Sequence, residues 1–571
     1  MSRLIGRIIA TEKNPTTIDK FCFWTSKNEK LGAFDVVKVE HLDGSFTYGV
    51  IENISHITDS SSYLSNYISS DFGNVEVEEP TYRVGMNYAE AKVTFNDKNL
   101  YTPVHNNSAV CLATAEEIRD ALGLIAADSI DTPIVCGALM MYGETDDPIT
   151  LPVHLDSRYL LGIDGAHLNI SGISGLASKT SYAMFLMKAI QDVYLSKSSK
   201  ENSGAEDSVA FVIFNVKDRD LMAIHDINNF DGNDDERKKT MKGYENLGLL
   251  FKPFEQVQYF IPYSEPTSNK RSTYLERADI EAYGKRLFKY MYVYEDDKES
   301  IEMMFANVDD PQKTIESIIT KIIDPGDSDF GAASGVGTWD DFEDKVASKS
   351  KGGDYNKGGE ILTQSWKRFK RYLSSALRND DMFTNGPDSK RNECRLGDKL
   401  KAIKANDVYV IDVAKLSEDK QAFVFGDTIR TLYNIKLGEY DDDPNVNVPS
   451  KLVIFFDELN KYASKDIPTD SPILRQIMKI TAEGRSRGII LFAAEQFRSN
   501  IVDRVTGNCS NHAYGRTTSI ETATKDYSSL PGTYKNLLTR LKQGDYLIQS
   551  PIFRSLLKIH FPKPVYKQFK Q

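Results

Sequence analysis

The sequence predicts an α/β fold preceded by a β-rich amino-terminal part, and three observations carry that expectation. From about residue 150, continuous apolar strands alternate with helical stretches. Residues 1–130 hold many short β-forming stretches and little helix. Between these textures and the rest of the chain lies a strand–loop–helix candidate, "SGISGLASKTS", at residues 171–181.

The bulk composition sets the frame. With 571 residues, and roughly 100–200 residues per domain, two to four domains are expected. Hydrophobic content of 40% and charged content of 27% suit a soluble globular chain. A net charge of −12 argues against a general nucleic-acid coat, which needs many cations facing phosphates. It leaves room for a narrow basic channel within an acidic assembly. The five cysteines are scattered, with no CxxC pair, which argues against a zinc ribbon or a disulfide framework. A reducing cytoplasm is the expected compartment. The start "MSRLIGRIIATEKNP" lacks a signal-peptide core, and no stretch reaches the ~18 apolar residues of a membrane span.

In the first 130 residues, "LIGRIIATE", "KFCFWTS", "DVVKVEHLDGSFTYGVIENIS" and "YAEAKVTF" cluster or alternate β-formers. "LDGSF" supplies a hairpin turn. Such strands predict a small barrel or sandwich. In "TAEEIRDALG", Thr114 and Glu117 have the spacing of a capping box. Further on, "HLNISGI", "SVAFVIFNV", "VQYFIPY", "VYVIDVA", "KLVIFFDE" and "GIILFAAE" predict a mostly parallel sheet covered on both faces. Between about 265 and 405 strands are expected to stop. "IEAYGKRLFKYMYVY" and "PQKTIESIITKII" predict helices, and the Gly-, Ser- and Asp-rich stretch 324–360 a long flexible loop. "TQSWKRFKRYLSSALRN" predicts a basic amphipathic helix.

The chemistry-bearing residues fall into three groups. A phosphate-binding loop reads GxxxxGK[ST] between strand and helix. Lys179 and Thr180 stand where its Lys and Thr belong, followed by Ser181. Gly172 and Gly175 each fall one residue early, and Ser178 takes the place of the second glycine. Ala183, Leu186, Ile190 and Val193 continue at helical spacing. Backbone N–H groups at that helix start suit phosphate. The same string also suits an ordinary strand–turn–helix with no ligand. The second group is Asp457-Glu458, at the end of an apolar strand. Two carboxylates at that edge suit magnesium binding and water activation. A core strand running into an acidic loop is the plainer alternative. The third is "EGRSRGIILFAAEQFRSNI": Gln496 ends a buried strand, while Arg485 and Arg487 precede it. The arginines lie too far along the strand for their own chain's phosphate. They suit fingers into a neighbouring subunit, or simply a surface at a strand entry.

In this order the parts resemble the HerA family of hexameric DNA-translocating ATPases, related to FtsK. The likeness rests on "VIFFDELNKY", "EGRSRGIILFAAEQF" and the end segment "GDYLIQSPIFRSLLKIHFP". It implies a RecA-like P-loop NTPase core with a helical insertion, preceded by a small β-barrel. The expected bounds are a HAS-barrel-like domain over 1–140 and the first core part over 150–265. The insertion covers 266–405, and the second core part, with a terminal β-hairpin, 406–571. It further implies ATP and magnesium as cofactors. Lys179 and Thr180 would bind phosphate and magnesium, Asp457 would hold magnesium, Glu458 would activate water, Gln496 would sense in cis, and Arg485 would act in trans. The implied partners are five further copies, double-stranded DNA, and an effector such as a nuclease or sirtuin-like protein in anti-phage defence. In a ring, "KVASKSKGGDYNKGG" or the stripe Lys367, Arg368, Lys370 and Arg371 could line a channel, although the stripe equally suits a solvated helix face. A ring-shaped scaffold with little or no ATP turnover is the competing reading, motivated by Ser178. A secretion or conjugation coupling ATPase is a third.

Overall fold

The computed structural model describes all residues except 1–2, 27, 70–71, 73–84, 144, 146, 174–178, 201–206, 266–270, 325–327, 352–360, 378–380, 440–447 and 570–571. The chain forms two compact units. One combines residues 1–156 with 513–561, the other 157–512 with 562–571.

In the first unit, six strands close a barrel: β1 (Leu4–Ile9), β2 (Lys20–Thr25), β3 (Val36–Glu40), β4 (Phe46–Thr58), β5 (Gly85–Asn96) and β6 (Ala109–Leu112). Their order is β1-β2-β5-β4-β3-β6, and closure removes the exposed edges that a small sheet would otherwise present. Ile5, Phe21, Phe23, Val37, Val39, Ile51 and Val110 fill the interior. The turn "LDG" between β3 and β4 places Asp43 and Gly44 at positive φ, as the sequence predicts. The capping box is also present: the Thr114 side chain accepts from Glu117 N–H, and Glu117 accepts from Thr114 N–H.

The same unit holds an antiparallel pair the sequence reading did not foresee, β7 (Pro133–Met141) and β8 (Ile149–Asp156). The expected terminal hairpin exists as Asp545–Gln549 against Leu557–His560. It is not part of the second core segment, however. Ile559 pairs with Leu139 of β7, so strand pairing ties the hairpin to the barrel-bearing unit.

Among the described residues, the second unit carries a parallel sheet of β9 (Leu168–Ser171), β10 (Val209–Asn215), β11 (Val257–Pro262), β12 (Leu287–Met291), β13 (Glu393–Arg395), β14 (Val408–Asp412), β15 (Lys451–Asp457) and β16 (Ile489–Glu495). They run in the order β13-β12-β11-β14-β10-β15-β16-β9, and every neighbouring pair is parallel. β10, β14 and β16 are buried along their whole length, as expected for parallel strands covered on both faces. The helix Lys179–Lys200 is buried on every side from Ser181 to Gln191. This is a parallel α/β sheet in which β16 stands between β9, which leads toward Lys179, and β15, which ends in Asp457.

Two readings between 265 and 405 are corrected. Strands do not stop there: β12 and β13 extend the parallel sheet. "IEAYGKRLFKYMYVY" holds a helix, Arg277–Tyr283, that ends before Gly284 at φ +52 and gives way to β12. The glycine is the stop signal, and β13, three residues long, is too short to show a period. The supposed flexible loop also contains a helix, Trp339–Lys351, whose Trp339, Phe342 and Val346 are buried. The helices Thr314–Ile323 and Thr363–Leu377 form as predicted. In the basic stripe, Arg368 donates to Asp309 O at 2.6 Å and lies 3.4 Å from Asp310. Part of "KVASKSKGGDYNKGG" lies outside the described residues.

Candidate nucleotide site

All the elements of the candidate site belong to the second unit. The register of parallel strands brings the carboxyl ends of β9, β16 and β15 to one edge: Asp457 aligns with Ala494, and Glu495 with Ser171. Ligands of α/β sheets bind at this edge. Gly172 N–H donates to Glu495 O at 3.2 Å, so the first residue of the loop is tied to the neighbouring strand. Gly175 and Ser178 lie outside the described residues.

Four sequence-predicted residues meet here. Thr180 Oγ1 donates to Asp457 Oδ2 at 2.8 Å, across 277 positions of sequence. Lys179 Nζ stands 3.8 Å from Glu458 Oε1, and their side chains are 3% and 12% exposed. Glu458 adopts φ +61, a left-handed conformation that costs a non-glycine residue energy and marks sites held by their surroundings. Its N–H donates to Asp457 Oδ1 at 3.0 Å. Gln496 follows Glu495 directly at the same edge. The segment beyond it is anchored by Arg498, which donates to Asn169 Oδ1 of β9 at 2.5 Å. Ser181 is buried, and its Oγ accepts from Gln568 Nε2 at 3.4 Å.

Arg485 and Arg487 do not join this cluster. They are exposed at the end of the helix Pro472–Arg487, before the first residue of β16. The seven residues of β16 separate them from the edge by about 20 Å at roughly 3.3 Å per residue. The Arg487 guanidinium lies 5.4 Å from the centre of the Tyr433 ring.

Two residues were missed. Lys217, in the loop after β10, donates to Glu458 Oε1. Its signal was the charged string "FNVKDRDL" directly after a buried strand. Glu495 is fully buried at the end of β16 and acts electrostatically on Lys179. It stood in plain view beside Gln496, but an acid that ends an apolar strand also reads as the start of a loop.

The electrostatics are mutually adjusted. Burial is the largest influence on Lys179 and pushes its ammonium below the usual lysine range, against the pull of Asp457 and Glu458. Burial opposes the charged form of Glu458 too. The hydrogen bond from Lys217 and the charges of Lys179, Lys217 and Lys461 together outweigh it, and the carboxyl is held below its ordinary value. Lys217 is raised: Asp457 and Glu458 overcome its partial burial. Asp220 is raised by burial and by Asp218.

No three His, Cys, Asp or Glu side chains converge as a metal cage among the described residues. A nucleotide-bound magnesium does not need one, since it takes one or two protein ligands and keeps phosphate and water oxygens. The Thr180 hydroxyl and the Asp457 carboxylate, in contact beside a buried lysine, fit that donor set.

No protein-family model matches the chain, and no curated protein matches it. Among solved structures, the chain is similar to a bacterial conjugative coupling protein, TrwB, at 10% identity and TM-score 0.40, over 71% of this chain and 88% of that one. It is similar to VirB4 of Thermoanaerobacter pseudethanolicus at 11% identity and TM-score 0.40, over 77% and 98%. A genome packaging NTPase, B204 of Sulfolobus turreted icosahedral virus 2, in complex with ATP-gammaS, matches at 14% identity and TM-score 0.22, over 29% and 72%. No helix among the described residues is long and apolar enough to cross a membrane.

Proposed function

We propose that this protein is a magnesium-dependent ATPase that works as a homohexameric motor translocating double-stranded DNA. The observation that carries the ATPase is the meeting of Lys179, Thr180, Asp457 and Glu458 at one sheet edge, with Thr180 and Asp457 in direct contact. Strand register brings the two segments to one edge, and there a hydroxyl meets a carboxylate beside a buried lysine, the donor set that a magnesium-bound phosphate takes. Lys179 grips the β- and γ-phosphates. Thr180 and Asp457 would hold magnesium, which when bound would neutralise charge developing on the phosphates. Glu458 accepts a proton from, or orients, the attacking water, and Gln496 senses the γ-phosphate.

The motor part of the reading is supported by the order of sequence elements and by the placement of Arg485 and Arg487. Exposed and far from their own site, they suit fingers into the next subunit's site. The DNA channel, the partner nuclease or sirtuin-like effector, and the setting in anti-phage defence extend the family resemblance.

The test is magnesium-dependent ATP hydrolysis by the purified chain, with and without double-stranded DNA. Lys179→Ala and Glu458→Gln should each abolish turnover. A wild type that hydrolyses no faster than these variants overturns the motor and leaves the scaffold.

A further inference from the structure

The loop that delivers Lys217 is built rather than loose. Asn215, fully buried at the end of β10, donates from Nδ2 to Asp218 O and to Asp412 Oδ1, each at 2.8 Å. Its Oδ1 accepts from Leu221 N–H at 3.2 Å. Asp412 is fixed in turn by Thr273 Oγ1 at 2.5 Å and by the N–H of Ala414 at 3.2 Å. Asp218 takes φ +40, in the left-handed region where a non-glycine residue is strained. One buried amide thus pins the loop on both sides of its turn, and Lys217 leaves it toward Glu458.

At the other end of the contact, Glu458 is restrained as well. Its backbone is in the left-handed region and its N–H is taken by Asp457. Lys217 and Lys179 approach the same oxygen, Oε1. A phosphate-binding lysine has work elsewhere once a nucleotide arrives. Lys217 would then remain on Glu458. A carboxylate has two acceptor oxygens, so with Oε1 held by Lys217, Oε2 would be left to accept from a water.

We infer that Lys217 is a positioning residue that fixes the Glu458 carboxylate while Lys179 turns to the phosphates. It acts through Glu458 and does not touch the nucleotide. The inference rests on Glu458 being the water-activating group. Asp457, Asp220, Glu495 and Lys461 are the other charged groups around this pair, and none of them offers Glu458 a second side-chain donor on a pinned loop.

The experiment is steady-state ATP hydrolysis by full-length Lys217→Met, Lys217→Gln and Lys217→Arg, alongside binding of a non-hydrolysable ATP analogue and thermal melting. The expected result is a fall in kcat of about ten-fold or more in the Met and Gln variants. KM and analogue affinity should stay within about two-fold, because an interaction that matters only beyond the ground state shows in kcat. Arg, which restores a donor to Oε1, should recover most of the rate. Wild-type kcat in both neutral variants overturns the inference. So does a loss of analogue affinity as large as that of Lys179→Ala, which would make Lys217 a phosphate ligand. A fall in kcat that Arg does not relieve, in chains that melt like the wild type, also overturns it. The reading of Glu458 fails separately: if Glu458→Gln turns over at the wild-type rate, the base assignment falls first. If that variant is dead while Lys217→Met is fully active, only the present inference falls.

Discussion

The Thr180–Asp457 contact is where the two halves of the site meet. A hydroxyl donating to a carboxylate oxygen is an ordinary hydrogen bond, worth roughly 1.5–3 kcal/mol when one partner is charged. Removing it should therefore leave the fold standing. Asp457→Asn should keep the melting temperature near that of the wild type, yet lower magnesium-dependent turnover by about a hundred-fold or more, since a lost metal ligand acts on the charged transition state. A hydrolysis assay over a magnesium titration checks this. Lys179→Ala should lose nucleotide affinity as well as turnover, measured by titration with a fluorescent ATP analogue. At this scale the sequence was legible where a motif fixes spacing: Lys179, Thr180, Asp457 and Glu458 were all placed from strings of a few residues. Lys217 and Glu495 were not, because their roles come from register. Glu495 faces the lysine only because β16 lies between β15 and β9, and Lys217 reaches Glu458 only because Asn215 curls its loop.

Among the elements, the helix Pro472–Arg487 and β16 show how tightly the sheet edge depends on its far end. Gly488 joins them at φ +72, and a Cβ there would meet Ser450 O at 2.1 Å. Gly488→Ala should cost at least about 2 kcal/mol, from left-handed backbone strain plus a clash with backbone, read as a lower urea midpoint. A second element carries a pH signature. Asp297, buried where Tyr294–Asp297 ends, has its carboxyl pushed up to about 7 by burial and by Asp427, against Arg395 and the Val293 N–H. A group that binds its proton more tightly when folded stabilises the fold at low pH and gives that up as pH rises through its folded value. Stability should therefore fall between about pH 4 and 7 through this group. Melting curves of the wild type and Asp297→Asn across that range should diverge in favour of the variant as pH rises. The six strands read from the sequence were legible because continuous burial leaves a continuous apolar run. β12 was not, because it follows a helix across Gly284 and shares its aromatic texture. The helix Trp339–Lys351 was hidden by the Gly- and Ser-rich residues on both sides of it.

For the whole molecule, the proposed ring makes a prediction that no single chain can satisfy. If Arg485 serves a neighbour's site, Arg485→Ala chains keep a sound phosphate site and lack a finger. Glu458→Gln chains have the reverse defect. Each should be inactive alone. Mixed in equal amounts and allowed to exchange, they should recover about a quarter of the wild-type rate, the share of sites that pair a sound base with a sound finger. No recovery would place the arginine elsewhere. Fold class and the order of parts were visible in sequence from the change of texture near residue 150. The return of residues 513–561 to the barrel-bearing unit was not, because it depends on strand pairing with β7, far back in the chain.

The last described residues pack against segments made far earlier in the chain. Residues 562–569 belong with the second unit: Tyr566 bridges to Ile227, Lys567 N–H donates to Asp226 O, and Gln568 reaches Ser181, 387 positions earlier. A growing chain makes these residues after everything they pack against. The first turn of the Lys179–Lys200 helix therefore waits through the synthesis of nearly four hundred residues for its neighbour. Long-range closures of this kind are slow. The helix that carries Lys179 and Thr180 thus meets Gln568 only after the hairpin Asp545–His560 has been made.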